Sequence, residues 1–111
     1  MKIKNRKNIV SIQDNCGRIQ EMHNSKNLSI SYATIKGKAK SHKHNIMEEV
    51  YYIVKGEAKM FIGKESFNVK TGDVIPIPKK IYHHIENNSK TPIEIVVVTH
   101  PKYIKSDNIE E

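Results

Sequence analysis

Apolar and polar residues alternate with a period of two along most of this chain. Residues 28–35 alternate in this way, Ala58, Met60 and Ile62 share one face of a later segment, and residues 93–98 form the most apolar run. Period-two alternation is typical of a half-buried β-strand, and a short continuous apolar run is typical of a strand that is buried on both faces. No segment shows a helical period. The pattern predicts an all-β domain.

Turn signals rich in glycine and polar residues separate the predicted strands. The clearest lie at residues 14–17, 55–57, 63–66 and 70–73. Short strands at a spacing of about eight to twelve residues indicate a sandwich or a barrel. The turn at 55–57 is expected to be of the hairpin type. Because Pro76 and Pro78 lack a backbone donor, the apolar segment 74–77 is expected to lie at a sheet edge or to end in a bend.

The segment between these turns with the most distinctive chemistry contains His42, His44 and Glu49. In a strand, two histidines one residue apart project both imidazoles to the same side, with Cα atoms about 6.5 Å apart. This spacing suits two ligands of one metal ion. Glu49 shares the face of the apolar residues that follow it, whereas Glu48 points the other way. A carboxylate on an apolar face is costly unless it is paired or binds a cation, so Glu49 is a candidate third ligand.

Two motifs in the chain match the pattern of a known family. The first consists of His42, His44, Glu49 and Gly56, and the second of Gly72, Pro78, His83 and Asn87. With these spacings the chain resembles the cupin superfamily over roughly residues 28–100. Two turn positions depart from the family pattern, since Gly37 stands one residue closer to His42 and Lys80 occupies a position where glycine is common. Neither is a ligand position, so the departures concern loop shape.

The resemblance implies a fold and a set of ligands. The fold is a small jelly-roll β-barrel, formed by residues 28–100, with an N-terminal arm at 1–27 and a polar tail at 101–111 that has room for one helical turn. All of these form one domain. The implied ligands lie at the mouth of the barrel and are His42, His44, Glu49 and His83. Barrels of this family often dimerise, so the resemblance also implies a homodimer.

Three imidazoles and one carboxylate suit Fe, Mn, Ni, Zn or Cu, and the ligands alone do not choose among these divalent metals. A site that keeps coordination positions open for a small-molecule substrate is chemical rather than structural. One hypothesis is therefore a metalloenzyme acting on a small oxygenated molecule, either as a sugar or sugar-phosphate isomerase, epimerase or lyase, or as an Fe(II) dioxygenase. The alternative is a non-catalytic, metal-dependent module that binds or senses a small molecule.

Few other residues are candidates for the chemistry. Tyr51 is the best catalytic candidate, as a hydrogen-bond donor close to the metal, and Tyr32 is a weaker one. His84 is expected to face away from the interior, and His23 and His100 are expected to be bystanders. The residues expected to face inward are Tyr51, Ile53, Ala58, Met60, Ile62, Ile81, Ile85, Ile95 and Val97.

Composition narrows the class of protein further. The net charge is +7, but the lysines are scattered and no nucleic-acid motif is present, so we expect a solvated surface or anionic substrates rather than a specific nucleic-acid partner. The single cysteine, Cys16, cannot form an internal disulfide and is interpreted as incidental rather than nucleophilic. No apolar run reaches the roughly 18 residues of a membrane span, and no signal peptide is recognised. We therefore expect a cytoplasmic protein.

Overall fold

The computed structural model describes residues 2–14 and 17–111. Cys16 and the centre of the predicted turn at 14–17 lie outside the described residues. The strands are β1 (Ile12–Asp14), β2 (Gly17–Asn24), β3 (Ser29–Ile35), β4 (Gly37–Lys38), β5 (His42–Lys43), β6 (Glu48–Lys55), β7 (Glu57–Ile62), β8 (Glu65–Lys70), β9 (Val74–Ile77), β10 (His83–Asn87), β11 (Ile93–His100) and β12 (Ile109–Glu110). Short 3₁₀ turns occur at Arg6–Asn8 and Lys105–Asp107. The all-β prediction is confirmed, and no helix in the described ranges is long and apolar enough to cross a membrane.

The strands form two antiparallel sheets that enclose one core. Sheet A has the order β1-β2-β3-β11-β6-β9, and sheet B has the order β12-β5-β10-β7-β8, with β4 paired to β10. This is the predicted jelly-roll arrangement, although the two sheets do not close into a continuous barrel. Strand β9, which contains Pro76, lies at the edge of sheet A, as expected from its prolines.

The core forms where the inner faces of the two sheets meet. In sheet A, Ile53 and Ile95 are cross-strand partners and are fully buried, and in sheet B, Met60 pairs with Ile85 in the same way. Most residues predicted to face inward are buried or partly buried. The prediction is wrong for Ile81, which is 38% exposed. Ile81 lies between the turn at 79–80 and the start of β10, where the alternation of a strand does not apply.

The turn at 55–57 does not join two paired strands, so the hairpin prediction is wrong. Strand β6 pairs with β11 and β9 in sheet A, whereas β7 pairs with β10 and β8 in sheet B. The chain therefore passes from one sheet to the other at Gly56. Gly56 has a φ of 104°, and a Cβ atom there would approach the Cα of Ile93 to 3.2 Å. Both constraints favour glycine.

The chain ends are part of the two sheets. At the N-terminal end, β1 and β2 extend sheet A beyond β3, and the guanidinium of Arg6 lies over the ring of Tyr32, 3.9 Å from its centroid. At the C-terminal end, β12 pairs with β5, which contains His42. The 3₁₀ turn at Lys105–Asp107 corresponds to the predicted helical turn, and its last residue, Asp107, is buried. Segment 101–111 is therefore more than a polar tail.

Candidate metal centre

The four candidate ligands come together between the two sheets. One potential ligand atom from each of His42, His44, Glu49 and His83 lies within 4.8 Å of the others. Strand β5 carries His42 and pairs with β10, so that His42 lies directly opposite His83. His44 follows β5 immediately, and Glu49 arrives from β6 of the facing sheet. The sequence motif thus becomes a compact cluster because the two sheets face each other at this point.

Burial distinguishes the members of the cluster. His44, Glu49 and His83 are buried, whereas His42 is only half-buried. Glu49 is 7% exposed and Glu48 is exposed, which is the strand parity that the sequence predicted. The cluster is therefore accessible to solvent on the side of His42, and the other three side chains lie in the interior.

Glu49 contacts two of the imidazoles through one oxygen. Its Oε1 atom forms a hydrogen bond with Nε2 of His44 at 3.0 Å. Oε1 also lies 3.3 Å from Nε2 of His83, but this contact lacks the alignment of a hydrogen bond. Among the described residues, Nε2 of His83 is the buried side-chain polar atom that has no hydrogen-bond partner. A buried polar atom without a partner is costly, and a cation bound at this nitrogen would remove the cost.

Each histidine is oriented by a backbone carbonyl. A carbonyl oxygen has no proton to donate, so Nδ1 of each ring must carry the proton that joins the pair. In the neutral tautomer this leaves the lone pair on Nε2, and second-shell hydrogen bonds of this kind commonly fix metal-binding histidines. The three pairs are His42 Nδ1 with Lys40 O at 3.0 Å, His44 Nδ1 with Asp107 O at 2.9 Å and His83 Nδ1 with Ile81 O at 3.2 Å.

The electrostatics favour an anionic carboxylate beside the imidazoles. Burial raises the pKa of Glu49, but the hydrogen bond with His44, the close contact with His83 and the charge interactions with both rings lower it to about 2. Burial lowers the pKa of His42, which favours the neutral ring. Burial also lowers the pKa of His44, yet the hydrogen bond and charge of Glu49 outweigh burial and raise this pKa above its ordinary value. A cation that binds here therefore replaces the proton between His44 and Glu49.

Two of the distances between donor atoms fit ligands of one transition-metal ion. Two ligands bound at about 2.1 Å are separated by about 3.0 Å when they subtend a right angle and by about 3.4 Å at the tetrahedral angle. The Glu49 oxygen lies 3.0 Å from Nε2 of His44 and 3.3 Å from Nε2 of His83. The donor set and these two distances therefore fit a divalent transition metal.

Tyr51 is buried next to this cluster, with its ring centroid 6.5 Å from that of His83. A mainly apolar pocket of about 320 Å³ is lined by Ile62, Phe67, Val69, Asp73, Val74, Ile75 and Pro76. Ile62 is the cross-strand partner of His83, and Ile75 is the partner of Tyr51. Strand partners of site residues thus line part of this pocket, but none of the four candidate ligands lines it.

The other histidines and tyrosine considered from the sequence lie elsewhere. His84 stacks on Phe61 with ring centroids 4.6 Å apart and contacts Glu86, so it faces away from the cluster as expected. His23 and His100 are exposed. Tyr32 donates a hydrogen bond to Glu94 at 2.6 Å and shares the core-distant face of sheet A with Arg6, which removes it from the site.

Two features near the site were not predicted from the sequence. Lys80, which replaces the common glycine of the second motif, has a φ of 67°, in the left-handed region that glycine adopts most readily. Its N–H donates to the carbonyl oxygen of His44 at 2.6 Å, so it supports the ligand segment directly. Asp107 contacts His44 from the C-terminal segment. A single acidic residue in a polar stretch gave no signal of this contact.

Comparison with known proteins identifies the family. The family model described as the cupin domain matches residues 31–99, which include all four residues of the cluster. The chain belongs to the cupin family.

A cupin relative and two solved structures are notably similar. The uncharacterized protein MJ1618 of Methanocaldococcus jannaschii is 39% identical over 80 residues, which cover 72% of this chain and 64% of that protein, so the match spans less than two thirds of the relative. Pac13, a nucleoside dehydratase from Streptomyces, has a TM-score of 0.87 at 13% identity over 100% of this chain and 92% of its own. TT1209 of Thermus thermophilus has a TM-score of 0.76 at 24% identity over 93% and 100% of the two chains. At these identities the structures show the fold alone.

Proposed function

We propose that this cupin is a metal-dependent enzyme that acts on a small oxygenated molecule, and that His42, His44, Glu49 and His83 hold the metal. The observation that carries the proposal is the common orientation of the three imidazoles. Their Nδ1 atoms are all committed to backbone carbonyls, so their Nε2 atoms remain for a cation beside a buried carboxylate. Histidines that served only as polar packing residues would not need this shared arrangement.

The residues of the cluster and Tyr51 would have different roles in the reaction. A divalent transition metal held there supplies Lewis-acid polarisation of a substrate oxygen. The buried His44, Glu49 and His83 hold the charge in a region of low dielectric, where electrostatic interactions are strong. His42, which is half-buried, leaves the open side for the substrate. The Tyr51 hydroxyl is the group we assign to donate a hydrogen bond or a proton to the substrate.

The reaction class depends on which metal is bound. Zinc, manganese or nickel would favour isomerase, epimerase or lyase chemistry on a sugar, sugar phosphate or hydroxy-keto acid, whereas Fe(II) would favour dioxygenase chemistry. That Pac13 is a nucleoside dehydratase supports an enzymatic role for a barrel of this fold.

A metal-dependent module that binds or senses a small molecule without converting it is the second candidate. It is favoured by the apolar lining of the interior, where Ile53, Met60, Ile85 and Ile95 are all buried. Such a lining offers few groups that move protons. The two candidates differ in turnover rather than in metal binding.

Ligand binding and turnover together test the proposed function. Cobalt(II) replaces the native metal as a spectroscopic probe, and its visible spectrum is recorded during titration with sugar phosphates, nucleosides, hydroxy acids and keto acids. Compounds that change the spectrum are then incubated with protein carrying each candidate metal, and products are followed by NMR, with oxygen uptake measured for Fe(II). We expect both a spectral change and conversion. A spectral change without conversion would favour the binding module, and no change with any class would contradict the proposal.

The matched variant for this test is Tyr51→Phe, which removes only the hydroxyl group. If Tyr51 donates a hydrogen bond or a proton to the substrate, the variant should retain metal and ligand binding while turnover falls by about 100-fold or more. Unchanged turnover would show that Tyr51 serves only in packing.

Three further expectations stay predictions: a homodimer, a cytoplasmic location and the absence of a specific nucleic-acid partner. The outer face of sheet A supports the homodimer. Tyr52 is 44% exposed there, and Val96 and Val98 of the adjacent strand β11 are partly exposed. An apolar outer face of this kind is suited to contact with a second subunit.

A further inference from the structure

We infer that the C-terminal segment 104–111 positions the metal ligands, and that Asp107 is the residue through which it does so. The inference rests on the proposed function, because it concerns the same metal centre. It assigns a role to residues that lie beyond the part of the chain matched by the cupin family model, which ends at residue 99.

The side chain of Asp107 anchors the loop between two ligands. Its carboxylate accepts hydrogen bonds from the backbone N–H groups of Asn45, Ile46 and Met47 at 2.8 to 3.2 Å. These residues connect His44 to Glu48, which precedes the ligand Glu49. Charge-assisted hydrogen bonds from three successive N–H groups fix the loop more firmly than neutral contacts would. The carboxylate thereby sets the spacing of His44 and Glu49.

The backbone of Asp107 acts on the ligand directly. Its carbonyl oxygen accepts the hydrogen bond from Nδ1 of His44 at 2.9 Å, which fixes both the tautomer and the rotation of that ring. Asp107 is only 4% exposed. One residue therefore holds the loop with its side chain and the histidine ring with its carbonyl group.

The rest of the segment fixes Asp107 and strand β5 in place. On one side of Asp107, the N–H of Ile104 lies 3.1 Å from the sulfur of the fully buried Met47. On the other side, β12 pairs with β5, with Glu110 opposite His42. The N–H of Glu111 donates to the carbonyl oxygen of Ser41. The segment thus contacts the chain on both sides of the two histidines of the first motif.

The test compares two aspartates that both accept hydrogen bonds from backbone N–H groups. Asp73 accepts one from Lys70 at 2.8 Å, in the turn before β9, and the opposite end of β9 is where Ile77 pairs with Glu49. We expect Asp107→Ala to weaken zinc binding by about 10-fold to 100-fold, and Asp73→Ala to leave zinc affinity within about twofold of the wild type while lowering the unfolding midpoint. Zinc affinity is measured by competition with a chromophoric chelator, and folding by circular dichroism.

A second readout separates positioning from general stability. In metal-free protein, NMR of the histidine ring nitrogens reports how fast the Nδ1 proton of His44 exchanges with solvent. We expect faster exchange in Asp107→Ala, because loss of the carboxylate frees the backbone at residue 107, whose carbonyl oxygen accepts the Nδ1 proton of His44. Asp73→Ala should leave the exchange unchanged. Wild-type zinc affinity in Asp107→Ala, or an equal loss in Asp73→Ala, would overturn the inference.

The inference stays testable if Asp107→Ala does not fold or if the wild-type protein binds no metal. If Asp107→Ala does not fold, Asp107→Asn, which keeps one acceptor oxygen, takes its place, and an unchanged zinc affinity in that variant overturns the inference. If the wild-type protein binds no metal at all, the proposed function fails, but the exchange of the His44 Nδ1 proton in the metal-free variants still decides whether Asp107 positions that ring.

Discussion

Replacement of His83 by alanine is expected to weaken zinc binding by about 100-fold or more while the protein stays folded. His83 contributes the buried Nε2 atom that has no hydrogen-bond partner among the described residues, so the substitution removes a ligand and leaves no buried donor behind. Loss of a direct ligand should exceed the 10-fold to 100-fold effect typical of residues that only support one. Competition with a chromophoric chelator measures the zinc affinity, and a thermal unfolding curve shows whether the variant is folded.

The control for this variant is His84→Ala. His84 is the next residue in the chain but faces away from the cluster, against Phe61 and Glu86. The His84→Ala variant should therefore bind zinc with the affinity of the wild type. Full zinc occupancy in His83→Ala would contradict the ligand assignment, and damage in His84→Ala alone would mean that the parity of β10 is shifted by one residue.

Glu49→Gln is expected to weaken zinc binding by at least about tenfold, whereas Glu48→Gln is not. The substitution keeps the shape of the side chain but removes the negative charge that lies beside two imidazoles. Glu48 is exposed on the opposite face of β6, so its charge is screened by solvent. If Glu48→Gln were the damaging change, the carboxylate of the site would have been assigned to the wrong face.

In metal-free protein, the effect of Glu49→Gln on the free energy of unfolding is expected to depend on pH. The pKa of Glu49 is lowered from 4.5 to about 2, so its stabilising contribution is present above pH 4.5 and is lost as the pH falls through about 2. The pKa of His44 is raised above 6.5, so the contribution of its charged form is present below pH 6.5 and is lost as the pH rises through the folded-state pKa. Glu49→Gln should therefore destabilise the metal-free protein most between pH 4.5 and 6.5.

Urea unfolding of the wild type and Glu49→Gln at pH 3, 5.5 and 9 measures this dependence. The difference in the free energy of unfolding should be largest at pH 5.5 and smaller at both extremes. A difference that does not vary with pH would show that the glutamine variant acts by packing alone and that His44 and Glu49 are not electrostatically coupled.

Sequence alternation and motif spacing predicted which side chains face the interior and which residues form the cluster. The alternation along β6 places Glu49 inward and Glu48 outward because a strand has a period of two, and the structure has this parity. The two motifs, through the family resemblance, predicted the ligand set His42, His44, Glu49 and His83, and in the structure the pairing of β5 with β10 places His42 opposite His83.

Features that depend on long-range pairing were not predictable in the same way. The turn at 55–57 has the composition of a hairpin, but only the pairing of β6 and β7 with different sheets shows that the chain changes sheets there. Asp107 lies 63 residues from His44 in the sequence, and no periodicity connects the two. The prediction for Ile81 was wrong because the residue precedes the start of β10, and a strand boundary is not marked by alternation alone.

Elemental analysis of the protein, expressed without an affinity tag and purified without chelator, beside the His42→Ala variant, tests whether these four residues bind a metal. We expect close to one transition-metal ion per chain in the wild type and a large loss in the variant, because His42 is one of the four convergent candidate ligands. The metal found would also choose between isomerase-type and dioxygenase screens. Absence of any metal, with none taken up on titration, or equal metal in both proteins, would contradict the assignment of these residues as metal ligands.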